Sequence, residues 1–258
     1  ILRKIDTKSL HKRCALLRQD SVHGSFSSSI EIDDKKLSIV INGQKIQFFD
    51  DKTKYTLLKH GIKDALLIDN TGICKDYESL QQHLKINGIT RVILTSPGVG
   101  MPNIVYGVNQ ADIDNDSDLI VSAASCTTNA IAPILKVIHD NNKIQKGHIE
   151  TIHAYTNDQN LLDNMHPKSR RGRSAAINMV ITSTGAGKAV SKVIPSLENK
   201  LTANAIRIPT PNGSLAIINV DIENKTSYDK LNEIIRKAAL DGPLVNQIKF
   251  SMSTELVS

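Results

Sequence analysis

Apolar side chains recur at helical spacing in Leu10, Cys14 and Leu17, which predicts a helix over residues 9–18. Two short apolar runs, residues 37–41 and 45–49, flank Asn42-Gly43. That dipeptide predicts a hairpin, because both central residues of a type I′ turn take positive φ. Residues 1–5 read as a strand, 65–68 as a short buried strand, 77–86 as a helix closed by Gly88, and 91–94 as another strand. Strand, helix and strand at this spacing make a βαβ unit in a parallel sheet, whose ligands gather at the carboxyl ends of the strands. Those ends carry Asn70-Thr71-Gly72 and Thr95-Ser96-Pro97-Gly98, so Thr71, Gly72 and Thr95 are candidates to meet a dinucleotide. Plain turn formation accounts for the same residues equally well.

Further on, an apolar run at 119–121 gives way to a helical pattern in Ile131, Leu135 and Ile138 that ends near Asn141-Asn142. A strand over 147–152 delivers His153. Residues 156–173 hold few apolar side chains and a basic cluster from Lys168 to Arg173, which predicts a long ordered loop, and long loops in compact domains tend to be functional. Ser183-Thr184-Gly185-Ala-Gly187 opens a helix with Ala189, Val190, Val193 and Ile194 that stops at Pro195. Its amino end is a ready anion site. Residues 201–208 and 214–222 alternate as strands, and Thr226 or Ser227 caps a last helix over 228–240, stopped by Gly242-Pro243.

The candidate chemistry centres on Cys126, which falls in the first turn of the helix after the 119–121 strand. Unpaired N–H groups and the helix dipole favour a thiolate there, and the thiolate is the form that attacks carbon. His153 is the candidate base and, later, acid. A cysteine in such a chain is more often a small buried hydrophobe. Here Ser125, Thr127, Thr128 and Asn129 surround it, poor packing partners for sulfur but good donors around an anionic substrate.

Composition narrows the choices. With 258 residues, 40% hydrophobic and 22% charged, the chain is an ordinary globular one, large enough for one large domain or two modest ones. No apolar run approaches the roughly 20 residues that span a bilayer, and residues 1–6 do not read as a signal peptide, so a cytoplasmic location without membrane contact is expected. Cys14, Cys74 and Cys126 are odd in number and widely spaced, which predicts free thiols, no disulfide framework and no metal site. The formal charge of +6 is scattered, so nucleic acid is not expected as the primary partner. It does favour phosphorylated metabolites.

Ser125-Cys126-Thr127-Thr128-Asn129, then Ala132-Pro133 and His153-Ala-Tyr-Thr156, resemble the active-site signature of the phosphorylating glyceraldehyde-3-phosphate dehydrogenases. The resemblance continues in Asp20-Ser-Val-His-Gly24, Arg170-Arg171-Gly172-Arg173, Ser183-Thr184-Gly185 and Ile206-Arg207-Ile208-Pro-Thr-Pro211, in the family's order, and so covers essentially the whole chain. It implies an α/β fold with a partial Rossmann-type dinucleotide-binding domain, residues 1–124, followed by an α+β catalytic domain with a mixed or antiparallel sheet, residues 125–258. By the family's layout the first strand and its glycine loop lie before residue 1, and the terminal strands and helix lie after residue 258, so the chain on its own is expected to show little or no activity.

The resemblance also assigns roles. Cys126 would be the nucleophile and His153 the base. Thr156, Arg171 and Arg207 would hold the substrate phosphate, and Ser125, Thr127, Thr184 and Gly185 the inorganic phosphate. Thr71, Gly72 and Thr95 would meet NAD or NADP. Asp6 falls where the family binds the adenosine ribose: a carboxylate there favours NAD, whereas Arg3 and Lys4 beside it suit the extra phosphate of NADP. The long loop would reach the cofactor pocket of a neighbouring subunit, implying a homotetramer. Ala130 stands where the family often has a second cysteine, and Ile181 where many members have proline. Erythrose-4-phosphate dehydrogenase is the alternative within the same chemistry. Outside it stand a cysteine hydrolase, which has no use for the threonine and arginine pockets, and a non-catalytic binding module.

Overall fold

The computed structural model describes residues 7–48, 57 and 61–256. They form two compact units, residues 1–63 with 86–88 and residues 64–85 with 89–258. The predicted strand over 1–5 and Asp6 lie outside the described residues.

In the first unit α1 (Thr7–Arg18) leads into a ribbon of two short strands, β1 (Gln19–Asp20) and β2 (Gly24–Ser25), and then an antiparallel sheet of β3 (Ile30–Asp33), β4 (Ser38–Ile41) and β5 (Gln44–Gln47). Leu10 and Cys14 of α1 are buried with Ile39 of β4, and Ile30, Ile32 and Ile41 pack against them. The hairpin turn is as the sequence predicts, with Asn42 at φ 49° and Gly43 at φ 78°. Strand β3 was not anticipated, although Ile30-Glu-Ile-Asp33 does alternate with period two.

The second unit opens with the βαβ unit: β6 (Ala65–Asp69), α2 (Tyr77–Leu84) and β7 (Ile89–Leu94), joined by β8 (Ile120–Ser122) in a parallel sheet of order β6-β7-β8. Asp76 caps α2 by accepting from the Ser79 N–H. One expectation is corrected. Strand β6 is not buried on both faces, since Leu66 and Ile68 are 52% and 59% exposed. A continuous apolar run reports hydrophobicity on both faces, not that both faces find a partner.

After β8 come α3 (Cys126–Asn142), β9 (Ile144–Ala154), β10 (Val180–Thr182), α4 (Ala186–Ser191), β11 (Leu201–Ile208), β12 (Ser214–Ile222) and α5 (Tyr228–Leu240). The sheet runs β10-β11-β9-β12, with β9 parallel to β11 and the other pairs antiparallel. It is therefore mixed, and the α/β class with its parallel and mixed sheets holds. The stripe Ile131, Leu135 and Ile138 on α3 is buried with Ile149 of β9 and Val190 of α4. Such burial stabilises by roughly 1.5–3 kcal/mol per large side chain. Helix α4 is shorter than predicted, and Val193 and Ile194 reach the core from the turn that follows it. Gly187 lets α4 lie close on β11, because a Cβ there would meet the Leu201 carbonyl at 2.8 Å.

The boundary expected at 124/125 falls inside this unit, at the turn before α3. Residues 156–173 form the expected ordered loop, pinned by the Asn160 N–H on Arg171 O (3.1 Å) and the Asn164 N–H on Gly172 O (2.8 Å). No helix among the described residues is long and apolar enough to cross a membrane.

Candidate active site

The turn between β8 and α3 is built tightly. Ser122 is fully buried, and its Oγ meets Ser96 O at 2.8 Å, Asn103 Oδ1 at 3.0 Å and the Ala124 N–H at 3.0 Å. Ala124 is forced to φ 57°, a conformation that costs a non-glycine residue about 1 kcal/mol or more. Ser125 then caps α3 by accepting from the Thr128 N–H at 3.0 Å. Cys126 is thus the first helical residue, and its side chain is exposed.

The polar company of Cys126 divides differently from expectation. Thr128 is buried and hydrogen-bonded to Ser125 Oγ at 2.7 Å, and Asn129 Nδ2 donates to Ala123 O and Ser125 O at 2.8 and 3.0 Å. These side chains brace the helix start. The Ser125 hydroxyl is taken up by this cap, and Ser125, expected beside the inorganic phosphate, is not among the residues lining the pocket around Cys126. Thr127 does face the pocket, with Oγ1 3.9 Å from Cys126 Sγ and 3.5 Å from His153 Nε2.

Strand β9 carries His153 to the same place. Cys126, Thr127, His153, Thr156, Arg171, Thr184, Gly185 and Arg207 all line one pocket. His153 is half-buried, and burial first, then the nearby Arg207 charge, holds its pKa below the ordinary imidazole value. It is neutral at pH 7 and able to take a proton. Ser214, which sequence reading did not single out, lies 3.0 Å from His153 Nδ1 and lines the same pocket. Only the β9/β12 register, in which the two residues are partners, reveals it.

The two arginines differ. Arg171 is paired with Asp158 and donates to Thr182 Oγ1 at 3.1 Å. Arg207 donates Nη1 to Ala154 O at 3.0 Å, its buried Nε has no partner, and it forms no ion pair among the described residues. Burial first, and then Arg171, lowers its pKa, yet it stays charged. A guanidinium with idle donors beside an exposed thiol suits an anionic group.

Thr71, Gly72 and Thr95 do not line that pocket. They lie exposed at the carboxyl ends of β6 and β7, where Thr71 donates N–H and Oγ1 to Asp69 Oδ1 at 2.9 and 2.7 Å and Thr95 donates N–H to Asp69 O at 3.0 Å. Gly72 takes φ 73° with open space where a Cβ would be. This open, amide-bearing edge fits a dinucleotide. The Ala123 N–H bonds Leu94 O at 2.8 Å, so the turn carrying the cysteine leaves from the same end of the sheet.

Residues 125–258 match the family described as glyceraldehyde 3-phosphate dehydrogenase, C-terminal domain. The chain is 52% identical to a glyceraldehyde-3-phosphate dehydrogenase-like protein of Pseudomonas aeruginosa, with 100% of the chain aligned and 56% of that protein's length covered. It is 40% identical to a glyceraldehyde-3-phosphate dehydrogenase of Neurospora crassa, with 94% of the chain aligned and 70% of that protein covered. It is also 40% identical to glyceraldehyde-3-phosphate dehydrogenase 2 of Synechocystis, with 91% and 69% covered. The chain thus spans between about half and 70% of the length of these relatives. A domain match over residues 125–258, together with relatives aligned along nearly the whole chain, means that this chain belongs to the glyceraldehyde-3-phosphate dehydrogenase family.

Proposed function

We propose that the protein carrying this chain is a phosphorylating aldehyde dehydrogenase that converts glyceraldehyde 3-phosphate, NAD or NADP and inorganic phosphate into an acyl phosphate, the reduced cofactor and a proton. The observation that carries the reading is one pocket lined by an exposed cysteine, a neutral histidine and two arginines, one of them with donors to spare. Residues 1–124 serve the cofactor and residues 125–258 the chemistry, a division supported by a family match that begins at residue 125. The names of the relatives supply the substrate.

In this reading the Cys126 thiol attacks the aldehyde carbon to form a thiohemiacetal, and the thiol proton passes to the new oxygen, which lies as a hydroxyl near Thr127 and His153. Thr71, Gly72 and Thr95 hold the cofactor. When bound, the nicotinamide supplies the hydride acceptor. As the thiohemiacetal becomes a thioester, the neutral Nε2 of His153 accepts the hydroxyl proton. Inorganic phosphate, near Thr184 and Gly185, then attacks the thioester carbon. The C–S bond breaks, the acyl phosphate leaves and the thiolate returns. Arg207 and Arg171, with Thr156, hold the substrate phosphate, where a planar fork binds better than a point charge. The apolar side chains exposed on the loop and beyond it, Leu161, Leu162, Met165, Ile177 and Met179, support packing against another copy and hence the tetramer.

Formation of reduced nicotinamide from glyceraldehyde 3-phosphate tests the reading. Turnover should require inorganic phosphate and cease on alkylation of Cys126. Equal turnover without phosphate would refute it, and running the assay with NAD and with NADP decides the cofactor.

A further inference from the structure

We propose that Asp69, Cys74 and His83 form a three-ligand site for a borderline divalent cation, with zinc the best match, apart from the catalytic pocket and independent of the dehydrogenase reading. Cysteine spacing alone excluded metal, because the ligands come from three kinds of element: the end of β6, the loop after it and the last turn of α2. In the fold, one ligand atom from each lies within 4.8 Å of the others. His83 Nε2 and Asp69 Oδ2 are 3.2 Å apart.

Ligand atoms around a tetrahedral zinc ion sit about 3.3–3.8 Å from one another, given metal bonds of about 2.0–2.3 Å. Movements of about 1 Å therefore close the three onto one ion. An ordinary aspartate–histidine pair has no need of a sulfur, yet here a buried thiol, which donates to Ser79 O at 3.7 Å, lies within 4.8 Å of both ligand atoms. The carboxylate is also oriented. Thr71 N–H and Oγ1 both donate to Asp69 Oδ1, leaving Oδ2 turned to His83, as an outer shell orients a metal-binding carboxylate. Gln82 Nε2 approaches Cys74 Sγ at 3.7 Å and would support a thiolate.

Charge and softness choose the ion. One carboxylate, one thiolate and a neutral imidazole balance a dication, and sulfur with nitrogen selects zinc or cobalt over magnesium or calcium. Binding ionises the Cys74 thiol and releases one proton per ion. Asp69 and Cys74 are 4% and 6% exposed, whereas the His83 side chain is 18% exposed, so the cluster is most accessible to solvent at His83.

The test uses a Cys126→Ser background, which removes the exposed thiol. Titration with Co2+ should give one equivalent of tetrahedral absorption with a thiolate-to-cobalt charge-transfer band, displaced by Zn2+. Cys74→Ala should abolish the band, His83→Gln should weaken binding more than tenfold, and Thr71→Val should weaken it about 10–100-fold, with circular dichroism unchanged. If the Cys74 variant does not fold, the His83 and Thr71 variants carry the test. Absence of the band in the folded background protein, or its survival in folded Cys74→Ala, would overturn the proposal.

Discussion

His153 and Ser214 face each other across the β9/β12 ladder, with Nδ1 and Oγ 3.0 Å apart. A base at Nε2 needs its proton on Nδ1, and the Ser214 oxygen is placed to accept a hydrogen bond from that proton, so the serine is compatible with the reactive tautomer and holds the ring in place. One neutral hydrogen bond is worth about 1 kcal/mol, or about fivefold in rate. Ser214→Ala should lower kcat by about that factor, leave KM nearly unchanged and alter the acid limb of the pH profile. An unchanged kcat and pH profile would show that the contact is idle.

Burial, and then the Arg207 charge, depresses the His153 pKa. The imidazole therefore stays neutral below its ordinary value of 6.5, and the acid limb of kcat/KM should lie below that pH. The stability linked to this group is fully present above 6.5 and is lost as pH falls through the folded pKa, because the unfolded chain takes the proton first. Arg207→Gln should move the NMR titration of His153 part of the way back up, since the burial contribution remains.

Arg207 offers donors that no described protein group uses, so its fork geometry should matter beyond its charge. Arg207→Lys should raise KM for the phosphorylated aldehyde on the order of 10–100-fold, the worth of one or more charge-assisted hydrogen bonds. Steady-state kinetics against an unphosphorylated aldehyde supply the control, on which the same variant should have little effect.

Ser125 acts through the helix start. Removing a cap hydroxyl destabilises by about 1 kcal/mol, so Ser125→Ala should lower the urea midpoint accordingly. It should also change the rate at which iodoacetamide alkylates Cys126, the next residue in the chain. Ser125→Asp, which keeps a capping oxygen, should restore most of the stability.

Local rules made much of this fold legible. The Asn42-Gly43 hairpin, strands β11 and β12, helix α5 with its Ser227 cap, and Cys126 in the first turn of α3 all follow from periodicity, turn chemistry and capping. What escaped depends on pairing across space. Ser214 reads as an ordinary strand residue until the register sets it against His153. Asp69 reads as the last residue of a strand, yet it holds Thr71, Thr95 and His83. Thr128 and Asn129 looked like substrate donors because composition cannot tell a hydroxyl that faces a pocket from one that ties down its own backbone.

The covalent role proposed for Cys126 is open to direct observation. The protein carrying this chain, mixed with glyceraldehyde 3-phosphate and its cofactor in the absence of inorganic phosphate, should accumulate an acyl thioester. Mass spectrometry should find it on the peptide bearing Cys126, and adding phosphate should discharge it. An adduct on Cys14 or Cys74 instead, or turnover with no adduct on any cysteine, would contradict the account.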